Sequence, residues 1–229
     1  MIPLRDENPT QRPPYITWML VAINAAVFLY EVVLGPDLRG FIFDWGLVPA
    51  RVSTSLSSGG ESIFAAGLPL LTSMFLHGGW MHLIGNLWYL WIFGDNVEDR
   101  LGHLGYLFFY LLAGLAGGLL HFFFNASSRV PTIGASGAIA GVLGAYLVAY
   151  PRARVLTLVP PFFQLMALPA VIVLGLWFVF QFFSGALSLA WAGSTGGGTA
   201  WWGHVGGFTF GLLVMMIFGR RQPPRGWAA

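Results

Sequence analysis

Apolar residues along this chain come in blocks, and most blocks are about as long as a bilayer is thick. Runs of roughly 20 mostly apolar residues fall near 15–34, 80–97, 104–124, 134–150, 167–190 and 201–218, the length a helix needs to cross lipid. The pattern predicts an all-α polytopic membrane protein with six transmembrane helices, folded as one membrane domain over 15–219. The connection 35–75 is long and half apolar, with Phe41, Phe43, Trp45 and Phe64 among Gly, Ser and Pro. It is too apolar for a plain solvated loop and predicts a long interfacial first outer loop, a hairpin or short amphipathic helices in the outer leaflet. Residues 1–14 are polar and Pro-rich and read as a mobile cytoplasmic tail. Residues 220–229 read as a basic cytoplasmic tail, and 192–200, rich in Gly, Ser and Thr, as a flexible loop.

Composition strengthens this picture. Only 9% of the 229 residues are charged, against about 25% in a typical soluble domain; mean hydropathy is +0.71. So few charges cannot build a water-facing surface. There is no cysteine, which excludes disulfides, thiol catalysis and Cys-ligated metals. A net charge of +2 gives no support for nucleic-acid binding. The first apolar run carries Asn24 and Glu31 and has no clear cleavage site, so it reads as a retained span rather than a signal peptide. All basic residues are arginines. With the N-terminus inside, Arg5, Arg12, Arg100, Arg152, Arg154, Arg220, Arg221 and Arg225 fall on the cytoplasmic side, and only Arg39, Arg51 and Arg129 outside. The positive-inside rule therefore places both termini in the cytoplasm.

Charged side chains inside lipid cost about 2.5 kcal/mol or more, and strongly polar ones there also call for a reason. The informative set is His82, Asn86, Ser136 and His204. His82 and Asn86 are one helical turn apart and share a face of the second span. Ser136 opens the fourth span and His204 lies near the start of the sixth. Even-numbered spans run from outside to inside, so all four residues fall in one layer just below the outer surface. Small residues point to the same place. Ser136, Ala140 and Gly144 form one stripe of the fourth span, and Gly203, Gly207 and Gly211 recur along the sixth. Such stripes let membrane helices approach closely. Fourth–sixth contact would bring the Ser136 hydroxyl within reach of a His204 nitrogen.

Taken singly, each residue has a plainer explanation. A Ser in a Gly-Ala-Ser-Gly run serves helix packing, and a His-x-x-x-Asn pair or a lone His can clamp two helices. Together, at one depth, they can do chemistry. A neutral imidazole can take a proton from a serine hydroxyl and return it to a leaving amine. No obvious carboxylate lies at that depth, so the arrangement reads as a dyad. The unpaired N–H groups at the N-terminus of the fourth span, with His82 and Asn86, could stabilise an oxyanion. His77, His82 and His204 lack an accompanying carboxylate in a recognised metal spacing, so no metal site is expected. His77 reads as a structural hydrogen-bonding residue. His103, His121, Glu31 and Glu98 read as interface residues satisfied by snorkelling or helix contacts. A small transporter would show inverted repeats or a polar path through the bilayer, whereas here the polar residues share one depth.

Three motifs carry a family resemblance. The run His77-Gly78-Gly79-Trp80-Met81-His82-Leu83-Ile84-Gly85-Asn86, the run Gly134-Ala135-Ser136-Gly137, and His204-Val205-Gly206-Gly207-Phe208-Thr209-Phe210-Gly211 together resemble the signatures of rhomboid intramembrane serine proteases. The similarity runs from Leu71 to Gly211, in order and on the matching spans. It implies a rhomboid-like catalytic domain of the compact bacterial six-span type, in a bacterial plasma membrane. Ser136 would be the nucleophile and His204 the base, with His82, Asn86 and the Ser136 N–H as the oxyanion hole. Substrates would be single-span membrane proteins cut near the outer face, with no cofactor. A catalytically silent rhomboid-like binder is the alternative. Two positions depart from the family pattern. Gly67-Leu68-Pro69-Leu70 stands where many relatives carry Trp-Arg, and Ala140 stands where many place an aromatic against the base. Another side chain would then have to hold His204. The aromatic fifth span, with Phe162, Phe163, Trp177, Phe178, Phe180, Phe182 and Phe183, is the expected lateral gate against the second span, with 192–200 capping the pocket.

Overall fold

The computed structural model describes residues 1–58, 63–190 and 199–219. Among the described residues nine α-helices and three strands follow in order: β1 (Ile2–Asp6), α1 (Tyr15–Val33), α2 (Leu38–Trp45), α3 (Pro49–Ser58), α4 (Ile63–Thr72), α5 (Trp80–Leu101), α6 (His103–Phe124), α7 (Ser136–Ala149), β2 (Arg154–Val159), β3 (Gln164–Pro169), α8 (Ala170–Ala190) and α9 (Trp201–Phe218). Four of them, α1, α6, α8 and α9, are long and apolar enough to cross a membrane. α5 is as long as α6, but Asp95, Glu98, Asp99 and Arg100 crowd its last two turns. α7 has 14 residues, a rise of about 21 Å against the roughly 30 Å of a hydrocarbon core. It is the central helix, buried without a break from Ala138 to Tyr146. Ser136 is the residue at its head.

Glycines set the central packing. α7 and α9 make the most extensive helix contact of the fold. A Cβ on Gly207 would run into the carbonyl oxygen of Gly137, and one on Gly211 into that of Gly141. The two backbones touch directly, as the small-residue stripes predict. Apolar packing fills the rest, with Tyr106, Tyr110, Tyr146, Phe93 and Phe208 fully buried.

Two carboxylates bind segments together. Glu98, 1% exposed, accepts hydrogen bonds from the Ile16 N–H (2.9 Å), the Thr17 N–H (2.8 Å) and the Thr17 hydroxyl (2.7 Å), and so caps the N-terminus of α1. Its other oxygen contact is His103 Nδ1 at 2.6 Å. Glu31 is buried in α1 and accepts the His77 N–H at 3.1 Å. Neither snorkels: each is an internal acceptor for backbone that would otherwise lack a partner.

Where described, the connection 35–75 folds as expected into short helices, α2 to α4, with Gly67 to Leu70 helical within α4. Trp45 and Phe43 remain partly exposed. An isolated bridge pairs Leu47 with Thr132 and ties this connection to the segment that leads into α7.

A small sheet accompanies the helices. Within 1–14, expected as a mobile tail, Ile2–Asp6 is a strand, paired antiparallel with β2, which pairs antiparallel with β3. The fifth span correspondingly starts at Ala170, after the hairpin, and not at 167. The strand is held by side chains as well as by the ladder. Trp88 Nε1 donates to the Pro3 carbonyl (2.7 Å), Tyr146 OH donates to Asp6 Oδ2 (2.6 Å), and Asn96 Nδ2 donates to the same oxygen (3.0 Å). Asn8 adds a bond to the Asn96 side-chain oxygen. β1 thus lies along the flank of α5 between Asn96 and Trp88. The expected basic tail 220–229, and 192–198 of the expected cap, lie outside the described residues.

Candidate active site

Ser136 is the first residue of α7, and His204 is in the first turn of α9. Because the two helices meet backbone to backbone, His204 Nε2 lies 2.8 Å from Ser136 Oγ. The imidazole is 8% exposed. Trp177 of α8 lies tilted against it at 5.8 Å between ring centroids, and Trp201 meets it edge-on at 6.3 Å. Its second nitrogen, Nδ1, is 2.7 Å from Gln181 Oε1, also on α8. Three side chains of α8 and α9 thus contact the His204 ring. An amide oxygen can only accept, so Nδ1 carries the proton and Nε2 presents its lone pair to the Ser136 hydroxyl.

α5 brings His82 and Asn86 to the same place. Gly134 has φ +127°, a conformation that glycine adopts freely, and a Cβ there would sit 2.7 Å from His82 Nε2 and 3.7 Å from Asn86 Nδ2. The loop into Ser136 therefore passes directly beneath both side chains. The Gly78 N–H donates to His82 Nδ1 at 3.3 Å. A nitrogen that accepts carries no proton, so neutral His82 holds its proton on Nε2, the atom that faces Gly134. Asn86 Nδ2 is buried and makes no hydrogen bond to the described residues. Donors from one helix and a hydroxyl–imidazole pair from two others face a single cavity of about 850 Å³. Its walls are α5, with Met81, His82, Asn86 and Tyr89, and the α8–α9 side, with Trp177, Ser188 and Trp201. A second cavity, about 40 Å³, reaches Ser136 and His204 from the α6 side, beside Gly114, Gly117 and His121. Such a space is enough for one or two waters.

The remaining histidines are placed as follows. His77 is buried and packs edge-on against His82 at 5.2 Å. Burial, with the neighbouring His82 ring adding to it, pulls its pKa down to about 4. His121 is not a plain interface residue: its Nε2 lies 2.9 Å from Thr132 Oγ1, and it borders both cavities. Gln181 is missing from the polar set read from sequence. The signal was there: it is the single amide in α8 and lies between Phe180 and Phe182.

Comparison with known proteins covers most of the chain. The rhomboid domain model matches residues 66–221. Rhomboid protein 1, mitochondrial, of Saccharomyces cerevisiae is 29% identical over 212 residues, covering 88% of this chain and 52% of the yeast protein. The rhomboid protease GluP of Bacillus subtilis is 33% identical over 136 residues, 58% of this chain and 24% of that protein. The human presenilin-associated rhomboid-like protein, mitochondrial, is 29% identical over 168 residues, 68% of this chain and 40% of its own length. The chain therefore spans about half the length of the yeast relative and less of the other two. With more than half of its length under the family model and helices of membrane-crossing length in that region, this chain belongs to the rhomboid family of integral membrane proteins.

Proposed function

We propose that the protein is an intramembrane serine endopeptidase that cleaves single-span membrane proteins with Ser136 as nucleophile and His204 as general base. The observation that carries the reading is the 2.8 Å approach of His204 Nε2 to Ser136 Oγ at the wall of a cavity inside a membrane bundle. The name of the Bacillus subtilis relative, a rhomboid protease, agrees with it.

The proposed steps use these atoms in turn. His204 Nε2 takes the hydroxyl proton as Ser136 Oγ attacks the scissile carbonyl carbon. The carbonyl oxygen becomes an oxyanion, with the Ser136 N–H at the head of α7, His82 Nε2–H and Asn86 Nδ2 as its donors. Imidazolium His204 then protonates the leaving amine, and an acyl–serine ester remains. Water, activated by the same imidazole, attacks the ester and regenerates Ser136. A peptide bond within a helix is shielded by its own ladder, so the substrate must unwind locally before attack. No step calls for a cofactor. In the membrane, odd spans would rise from the cytoplasm and even spans descend to it, with the site toward the outer face. The excess of arginine on one side supports that orientation.

The test is purified protein in lipid with a single-span substrate, comparing wild type, Ser136→Ala and His204→Ala. Both variants are expected to lose cleavage and fluorophosphonate labelling. Cleavage unchanged in both would end the proposal and leave a rhomboid-like binder as the reading.

A further inference from the structure

We propose that Gln181 is a positioning residue that selects the tautomer of His204, and that α8 thereby controls whether Ser136 has a base. For its effect on activity the inference rests on the protease reading above; for the tautomer it does not.

Gln181 is an amide in an aromatic helix. Trp177, Phe178, Phe180, Phe182 and Phe183 surround it in sequence, yet it is 5% exposed and turned inward. A buried amide needs partners, and its oxygen meets His204 Nδ1 at 2.7 Å. The contacts form one line: Gln181 Oε1 accepts from Nδ1–H, and Nε2, free of a proton, accepts from the Ser136 hydroxyl at 2.8 Å. Rotation of the amide by half a turn would offer N–H to Nδ1 instead. The ring proton would then sit on Nε2 and point at Ser136 Oγ, and the base would be idle. Gln181 is uncharged, so it orients the ring without stabilising the imidazolium as a carboxylate would.

The location of this residue matters as much as its bond. Gln181 belongs to α8, and α8 with α5 walls the large cavity. α8 is held to α9 through aromatic contacts, Phe178 stacked on Phe208 at 4.5 Å and Phe182 edge-on to Trp202 at 6.2 Å. Displacing α8 from α9 would carry Gln181 and Trp177 away from His204 together. The base is oriented only while α8 is seated.

The experiment uses the full chain in lipid nanodiscs with Gln181→Met, close in size but without an amide, and Gln181→Glu. Histidine 15N spectra report the tautomer directly, with His204 assigned by the signal lost in His204→Asn. Wild type is expected to show a single Nδ1–H form, and Gln181→Met a mixture of the two. Fluorophosphonate labelling of Ser136 against pH is expected to slow at least tenfold in Gln181→Met. Gln181→Glu is expected to recover labelling with the acid limb moved to higher pH, because a carboxylate favours the imidazolium. A role in packing alone would leave the tautomer in Gln181→Met as it is in wild type. Wild-type His204 with its proton on Nε2, or a spectrum and pH profile unaltered in Gln181→Met, would overturn the inference. If wild type does not label at all, the protease reading fails, while the spectra still decide the role of Gln181.

Discussion

In the proposed mechanism His82 and Asn86 each supply one donor atom, and the two can be weighed separately. His82 Nε2 carries its proton because Gly78 occupies Nδ1, and Asn86 Nδ2 is buried without a partner among the described residues. Removing one oxyanion donor typically slows the chemical step by about 10²–10³-fold. His82→Ala and Asn86→Ala are each expected to lower kcat by that order, with KM changed far less, in cleavage of a single-span substrate. His77, next to them, sets a pH dependence of stability. Its folded pKa of about 4 lies below the reference 6.5 because burial opposes the charge. A neutral histidine of this kind contributes stability that is complete above 6.5 and is lost as pH falls from there toward 4. Thermal unfolding in detergent is expected to drop between pH 7.5 and pH 5 more steeply in wild type than in His77→Gln. The candidate site was largely legible in the sequence, because His82, Asn86, Ser136 and His204 share a depth once the spans are drawn. Gln181 was missed because depth was counted only for residues near the tops of even spans. It rises from the opposite end of α8 and reaches the same layer eleven residues into that helix.

Helices place these atoms, and the seam between α7 and α9 decides the distance. At Gly207 any side chain meets the carbonyl oxygen of Gly137. Gly207→Leu forces the pair apart, at about 1–3 kcal/mol for overpacking, and carries His204 away from Ser136. Labelling of Ser136 is expected to vanish and the unfolding temperature to fall. Gly175→Leu on α8, where a Cβ meets nothing within 4 Å, is the control and is expected to change neither. The helices themselves were readable because lipid dictates long apolar runs: α9 has the expected bounds, and α1 and α6 lie within a residue of theirs. α7 and the sheet were harder. An embedded helix shielded by its neighbours need not match the bilayer, so nothing in its composition marks 14 residues as its length. The strands contain Pro3, Leu4, Leu156, Thr157 and Leu158, with no turn chemistry linking β1 to β2, and their pairing is set by residues far away in sequence.

For the whole molecule, that distant pairing has a consequence in time. Ile2 cannot meet Leu158, nor Pro3 meet Thr157, until α1 to α7 have been synthesised. At 5–20 residues per second the delay is on the order of ten seconds. Throughout that interval the first strand has no ladder, and Asp6 has no Tyr146 hydroxyl to receive. The lack of cysteine makes the interval measurable. A thiol introduced by Pro3→Cys should react with a water-soluble maleimide in ribosome-bound chains halted at residue 150, and become shielded in the released protein. Equal reactivity in both would mean that the strand does not hold its place. If the shielding appears, the flank of α5 is closed by a latch whose two halves lie far apart in the order of synthesis.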